Sequence, residues 1–371
     1  MKRLIVLVSV LAMTLLGFVA VGLPAQGSIP PGTNGKIVVG QVFPNYGFTI
    51  NPDGSDEHQI GPQGSTTCNT WSPDSSKVLC NLWSEESVQP ATANPDGSDF
   101  TLLNPNLPLD LFCLSWSPDG TRLLCHSEGI ANPADAGLYT VRSSDAGDLV
   151  QVTATPPDHF DDGYGYSPDG SRILFSRFDS TGRGVLFSVT PDGGGAVQLS
   201  PPNLGVIDLG FFDRAGADWS PDGSQVTFAA RKLSSGRDLI TSALFVVNAD
   251  GTGLRQVTPS ALGAISAQWS PNGGLIAFGS CCAPEAGAIH APEAWVVHPD
   301  GTGLREVTNP IGGEFSLVPV WSPDSTKLLF NRENRRGQTT LWTANTDGSG
   351  LSKVTDTASR VFYAWGTAPV G

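Results

Sequence analysis

Trp219-Ser220-Pro221-Asp222-Gly223, followed at once by Gln225-Val226-Thr227-Phe228, sets the architecture of the whole chain. An aromatic residue closes one extended run. Proline then presets φ, aspartate bonds its own backbone and glycine accepts a positive φ, so the chain reverses. A second β-like run leaves the turn. The same kind of unit recurs, with aromatic anchors at Trp71, Trp116, Tyr166, Trp219, Trp269, Trp321 and Trp365, spaced 45, 50, 53, 50, 52 and 44 residues apart. A second turn type, usually ending in Asp-Gly, stands at 51–54, 94–97, 144–147, 190–193, 248–251, 298–301 and 345–348. Each unit reads as four strands, a to d: a ends at the anchor, a and b share the first turn, and c and d share the second. Four-stranded units at this period predict the blades of a β-propeller.

The ends of the chain predict how such an array finishes. Asn34-Gly35-Lys36-Ile37 reads as a turn leading into a strand b, with no anchor before it. Phe362-Tyr363-Ala364-Trp365-Gly366 reads as a lone strand a. Neither fragment is a blade, and together they make one. The expectation is an all-β, seven-bladed β-propeller, closed by the C-terminal strand a pairing with N-terminal strands b–d. That pairing removes the bare edges of an open array.

Composition agrees. The 371 residues include 44 Gly and 29 Pro, about a fifth of the chain, where roughly 12% is usual. With 39% hydrophobic residues and nine Trp, the chain is neither a helical bundle nor disordered. A formal charge of −14 argues against a nucleic-acid binder, which needs a basic footprint. Met1-Lys2-Arg3, an apolar run from Leu4 to Leu23, and small residues to Gly27 have the order of a secretory signal. Residues 1–27 are therefore expected to be a signal peptide, and 28–371 the propeller. The other reading is an uncleaved anchor, since the apolar run approaches the ~20 residues that span a bilayer. Either way the expected location is secreted, periplasmic or cell-envelope, and the expected state is a monomer.

The Trp-Ser-Pro-Asp-Gly and Asn-x-Asp-Gly elements resemble the WD-like propeller repeat of the TolB family, over nearly all of residues 34–366. The resemblance implies fold more than function. TolB looks like an α/β domain followed by a six-bladed propeller, whereas here the repeats begin almost directly after the signal and number seven. A role in the Tol–Pal envelope system therefore does not carry over. Such propellers also resemble the non-catalytic domain of prolyl oligopeptidases, but no Gly-x-Ser-x-Gly elbow is present.

Cys68/Cys80 and Cys113/Cys125 fall three before and nine after their Trp. In a hairpin centred on Asp74 or Asp119 those positions face each other, so two disulfides are expected; buried free thiols are the alternative. Other units place Gly163/Phe175, Gly216/Phe228, Ser266/Phe278 and Val318/Phe330 there, and Phe362 is expected to face Val39 to within one residue. Cys281-Cys282 lies in a long b–c connection. It reads as a loop staple or a free pair, with a strained redox element as the sharper alternative.

Both short turn sets lie on one face of the disc, which leaves the variable d–a and b–c connections on the other. Function tends to sit in such loops. Asp158-His159-Phe160-Asp161-Asp162 brings three carboxylates and an imidazole into five residues, and Pro201 to Gly216 carries Asp208, Phe211, Phe212, Asp213 and Arg214. These are the candidate ligand-binding residues, poised for a divalent cation or a cationic ligand; the plainer reading is solvated acidic loops. No catalytic residue, no cofactor and no structural metal site is assigned, because His58, His126, His290 and His298 are scattered and no zinc-ligand spacing occurs. Seven-bladed metal-dependent sugar lyases use an axial His cluster that has no counterpart here. The expected function is non-catalytic recognition of a protein, peptide or glycan. The alternative is a metal-assisted hydrolase or lyase using Asp158, His159, Asp161 and Asp162.

Overall fold

The structure is a computed structural model and describes residues 31–368 except 42–44, 85–86, 105, 108, 130–131, 207–215, 233–241, 281–283, 286–287, 290–292, 309–314, 335 and 358–360. The expected signal at 1–27 and the Cys281-Cys282 pair lie outside the described residues.

The described chain is all-β apart from two 3-10 turns. β1 (Asn34–Gln41), β2 (Asn45–Ile50) and β3 (His58–Gly64) start the first sheet. β4 (Thr66–Trp71), β5 (Val78–Trp83), β6 (Val88–Ala93) and β7 (Thr101–Leu102) form the second. β8 (Phe112–Trp116), β9 (Arg122–Ser127), β10 (Gly137–Arg142) and β11 (Val150–Gln151) form the third. Next come β12 (His159–Tyr166), β13 (Ile173–Asp179), β14 (Gly184–Val189) and β15 (Val197–Gln198). These share one nine-stranded sheet with β16 (Leu204–Val206), β17 (Ala217–Trp219), β18 (Gln225–Lys232), β19 (Ala243–Asn248) and β20 (Arg255–Gln256). β21 (Ala264–Trp269), β22 (Ile276–Ser280), β25 (Glu293–Val297) and β26 (Arg305–Glu306) form another sheet, with β23 (Pro284–Glu285) and β24 (Ala288–Ile289) a small separate ladder. β27 (Phe315–Trp321), β28 (Lys327–Glu333), β29 (Thr339–Asn345) and β30 (Ser352–Thr357) form the next. β31 (Val361–Thr367) returns to β1, giving the order β3-β2-β1-β31.

This is a β-propeller. It shows five separate four-stranded sheets, where the sequence reading expects seven. β12 to β20 form one nine-stranded sheet instead, in which a single residue pair, Gly184↔Val206, joins β14 to β16.

The hairpin turns form for the reasons the sequence supplies. Ser72 Oγ donates to Asp74 Oδ1 (2.7 Å), Ser76 N donates to the same oxygen (3.0 Å), and Lys77 N donates to Ser72 Oγ (2.9 Å). The Ser–Asp bond repeats at 117/119, 167/169, 220/222 and 322/324, and as Ser–Asn at 270/272. These serine hydroxyls hold Asp74, Asp119, Asp169 and Asp222 below the usual carboxylate range.

The core lies between sheets. Leu114, Leu124 and Leu138 of one unit pack with Tyr166, Ile173 and Phe175 of the next. The anchors bind neighbours too: Trp71 Nε1 donates to Ala364 O (3.2 Å) and Trp321 Nε1 to Gln268 O (3.0 Å). First strands of successive units touch in order: β4 meets β8, β8 meets β12, then β17, β21, β27 and β31, and β31 meets β4.

Cys68↔Cys80 and Cys113↔Cys125 face each other and form disulfides. Gly163↔Phe175 also pairs as expected. The other facing pairs shift. Ala217, not Gly216, opposes Phe228; Ala267, not Ser266, opposes Phe278; Val318 falls in the irregularity between Leu317↔Asn331 and Val320↔Leu329. Phe362 faces Gly40, one residue from Val39. The expected pairs hold where one bulged residue just before the anchor sets two residues against one; β17–β18 has no such bulge and in β21 it lies one residue further out, so the register differs there. Peptide mapping without reductant is expected to join Cys68 to Cys80 and Cys113 to Cys125. Removing either bridge is expected to cost about 3 kcal/mol in chemical denaturation, given so short a loop.

Candidate functional site

Pro156 O accepts the His159 N–H (3.2 Å), and Asp158 takes φ 61° inside that turn. His159 to Asp162 are not loop residues: they open β12 and pair with Asp179, Phe178, Arg177 and Ser176 of β13. Alternate side chains therefore go to opposite faces, and the expected convergence of carboxylates does not occur.

The buried Asp161 (0% exposed) receives Arg177 Nε at 2.6 Å and Nη2 at 2.7 Å. This two-point ion pair raises the Arg177 pKa further and occupies both carboxylate oxygens. The Arg177 guanidinium lies 5.9 Å from the Phe175 ring centroid. Asp162 is also buried. Among the described residues no group of three His, Cys, Asp or Glu is placed to hold a metal ion. The acids read from the sequence as a cation site are thus split between a structural ion pair and an opposite face.

What remains open to solvent is Asp158, His159 and Phe160. His159 Nδ1 lies 2.9 Å from Pro157 O. Phe160, 41% exposed, stacks on the buried Phe178 with centroids 4.7 Å apart and planes at 13°. Gly184 makes room for that stack: a Cβ there would come within 2.3 Å of the Phe178 ring. The result is an aromatic platform with a rigid back and an accessible front.

Phe211, Phe212, Asp213 and Arg214 lie outside the described residues, but their flanks are informative. Val206 pairs with Ala230 and Ala217 with Phe228. On β18 these two partners are separated by the single Ala229. The sequence reading places these four residues in a d–a loop ahead of strand a; the described flanks, β16 and β17, both pair with β18. Asp218 and Gln268, outside the expected site, carry one signal in the sequence: each is a polar residue directly before an anchor Trp.

No protein-family model and no curated protein matches the chain. Solved structures match by shape. TolB from Acinetobacter baumannii aligns at 13% identity and a TM-score of 0.53, covering 92% of this chain and 68% of that one. An oligogalacturonate lyase in complex with manganese aligns at 15% identity and 0.57, covering 88% and 86%. A structure from an analysis of two prolyl endopeptidases aligns at 12% and 0.61, covering 92% of this chain and 50% of that one. The fold is a TolB-like β-propeller, a scaffold that this chain shares with TolB and with enzymes alike.

Proposed function

We propose that this chain is an exported, monomeric, seven-bladed propeller that binds a protein, peptide or glycan on its variable-loop face without covalent chemistry. The seven-blade count is supported by the unbroken order of first-strand contacts and by the single pair that joins β14 to β16. Ring closure is supported by the β1–β31 register. Export is supported by the two disulfides, which persist in oxidising compartments, together with the signal-like residues 1–27.

The observation that carries the binding reading is the Phe160 platform. An exposed aromatic held flat on a buried ring offers a face for a sugar, a proline or another apolar group at little entropic cost. His159 and Asp158 add polar contacts beside it. Phe211, Phe212, Asp213 and Arg214 are proposed to extend the same surface. The metal-assisted hydrolase or lyase reading is kept because a manganese-bound lyase shares the fold.

Screening the mature protein against glycan and peptide arrays is expected to yield a ligand whose affinity falls about tenfold or more in Phe160→Ala. An unchanged affinity would remove the platform from the site. Calorimetry with Ca²⁺, Mn²⁺ and Zn²⁺ on wild type and on Asp158→Ala/His159→Ala, which leaves the Asp161–Arg177 ion pair intact, separates the two readings. Binding heat lost in the double variant would favour the enzyme.

A further inference from the structure

Asp218 precedes the anchor Trp219 and is the middle residue of β17, opposite Thr227 of β18. It is 7% exposed. Its Oδ2 accepts the backbone N–H of Trp269, the anchor of the next unit, at 2.8 Å. One unit further on, Gln268 occupies the same place, and its Oε1 accepts the backbone N–H of Trp321 at 3.0 Å. Two successive joints thus use the same hydrogen bond, one from a side chain that cannot ionise and one from a side chain that can.

We infer that Asp218 is a proton-dependent latch between the units anchored by Trp219 and Trp269: as a neutral acid it holds the joint, and as an anion it loosens it. Burying an uncompensated carboxylate costs far more than burying the acid. The elements packed against β17 are β12, β13, β18 and β21. Their titratable or charged residues are His159, Asp161, Asp162, Tyr164 and Tyr166 on β12, Arg177 and Asp179 on β13, and Arg231 and Lys232 on β18; β21 has none. None of these is among the groups that perturb Asp218. The N–H groups of Trp269 and Trp219 favour the anion, but burial outweighs them and pushes the carboxyl up to about 8. The acid at 218 is therefore set by the interface itself.

The sign follows from linkage. A carboxyl raised from 3.8 to about 8 makes the folded state bind the extra proton between those values. Its stabilising contribution is complete below the lower value and is lost as pH rises to the upper one, at about tenfold in the folding constant per pH unit. Glu293, raised to about 7 by burial and by Glu306, acts with the same sign, so the informative quantity is a difference between variants.

The test is denaturation from pH 5 to 9.5 on wild type, Asp218→Asn and Gln268→Glu, with infrared detection of a protonated carboxylic acid. Wild type is expected to weaken with pH more steeply than Asp218→Asn, and to show an acid band near pH 6 that titrates near 8 and is missing from that variant. Gln268→Glu is expected to add a second decline. Parallel pH curves for wild type and Asp218→Asn, or an acid-band component titrating near 8 that survives in Asp218→Asn beside that of Glu293, would overturn the latch. If Asp218→Asn does not fold, Gln268→Glu decides: an added decline supports the latch, and a curve parallel to wild type overturns it.

Discussion

Deleting residues 361–371 is expected to abolish soluble folded protein. β31 pairs with β1 from Gln41↔Val361 to Ile37↔Trp365, with a further pair at Asn34↔Thr367. Tyr363, Ala364 and Trp365 are buried. Tyr363 OH accepts Asn331 N (3.0 Å), Ala364 O accepts the Trp71 indole, and Ser75 Oγ accepts Thr367 N (3.0 Å). The deletion thus strips contacts from three neighbouring units. Two aromatics at roughly 200 Å² each and ~25 cal/mol per Å² contribute on the order of 10 kcal/mol, as much as the whole margin of a typical domain. The truncation also leaves β1 as an unpaired edge, which invites aggregation. Soluble yield, circular dichroism and thermal melting check this. A soluble truncation that melts like the full chain would overturn both the pairing and the proposed closure.

The second large effect is expected at Asn81. Its Oδ1 accepts Cys113 N at 2.7 Å and its Nδ2 donates to Cys113 O at 3.0 Å, so one amide side chain imitates a peptide bond across two units. Asn69 Nδ2 donates to the same carbonyl at 2.8 Å. Asn81→Leu keeps the branched shape with bulkier methyl ends and removes the partner of Cys113 N in a buried interface. Each lost or orphaned bond of this kind costs about 1–3 kcal/mol, so about 3–4 kcal/mol is expected in chemical denaturation. Asn69→Ala is expected to cost less, because Cys113 O keeps its bond to Asn81. Equal costs, or less than about 1 kcal/mol for Asn81→Leu, would show that the clamp contributes little.

Much of the architecture was legible because it is periodic. Seven anchors and seven second turns mark the units, and the cysteine spacing marks opposite positions on a hairpin. What stayed hidden is aperiodic. A bulge leaves no mark in the residues, yet it moved Ser266 and Val318 out of their expected pairs. The joining of β14 to β16 in one nine-stranded sheet rests on the single pair Gly184↔Val206. The Asp161–Arg177 pair was within reach: carrying Gly163↔Phe175 two residues outward sets Asp161 against Arg177. Pro156-Pro157 drew the reading toward a loop instead, and with it toward a cation site. Asp218 was hidden because a polar residue on an inner strand has meaning only once its neighbour across the joint is known.

Both ends of the described chain meet in a single sheet, where Ala368 N donates to Thr33 O at 2.8 Å. The seam is therefore a place where the polypeptide could be stitched shut and reopened elsewhere. A short covalent link between these neighbours, with fresh termini cut into another connection, would give a circular permutant with the same sheets in a different chain order. Two partners joined at Thr33 and at Ala368 would leave the sheet side by side.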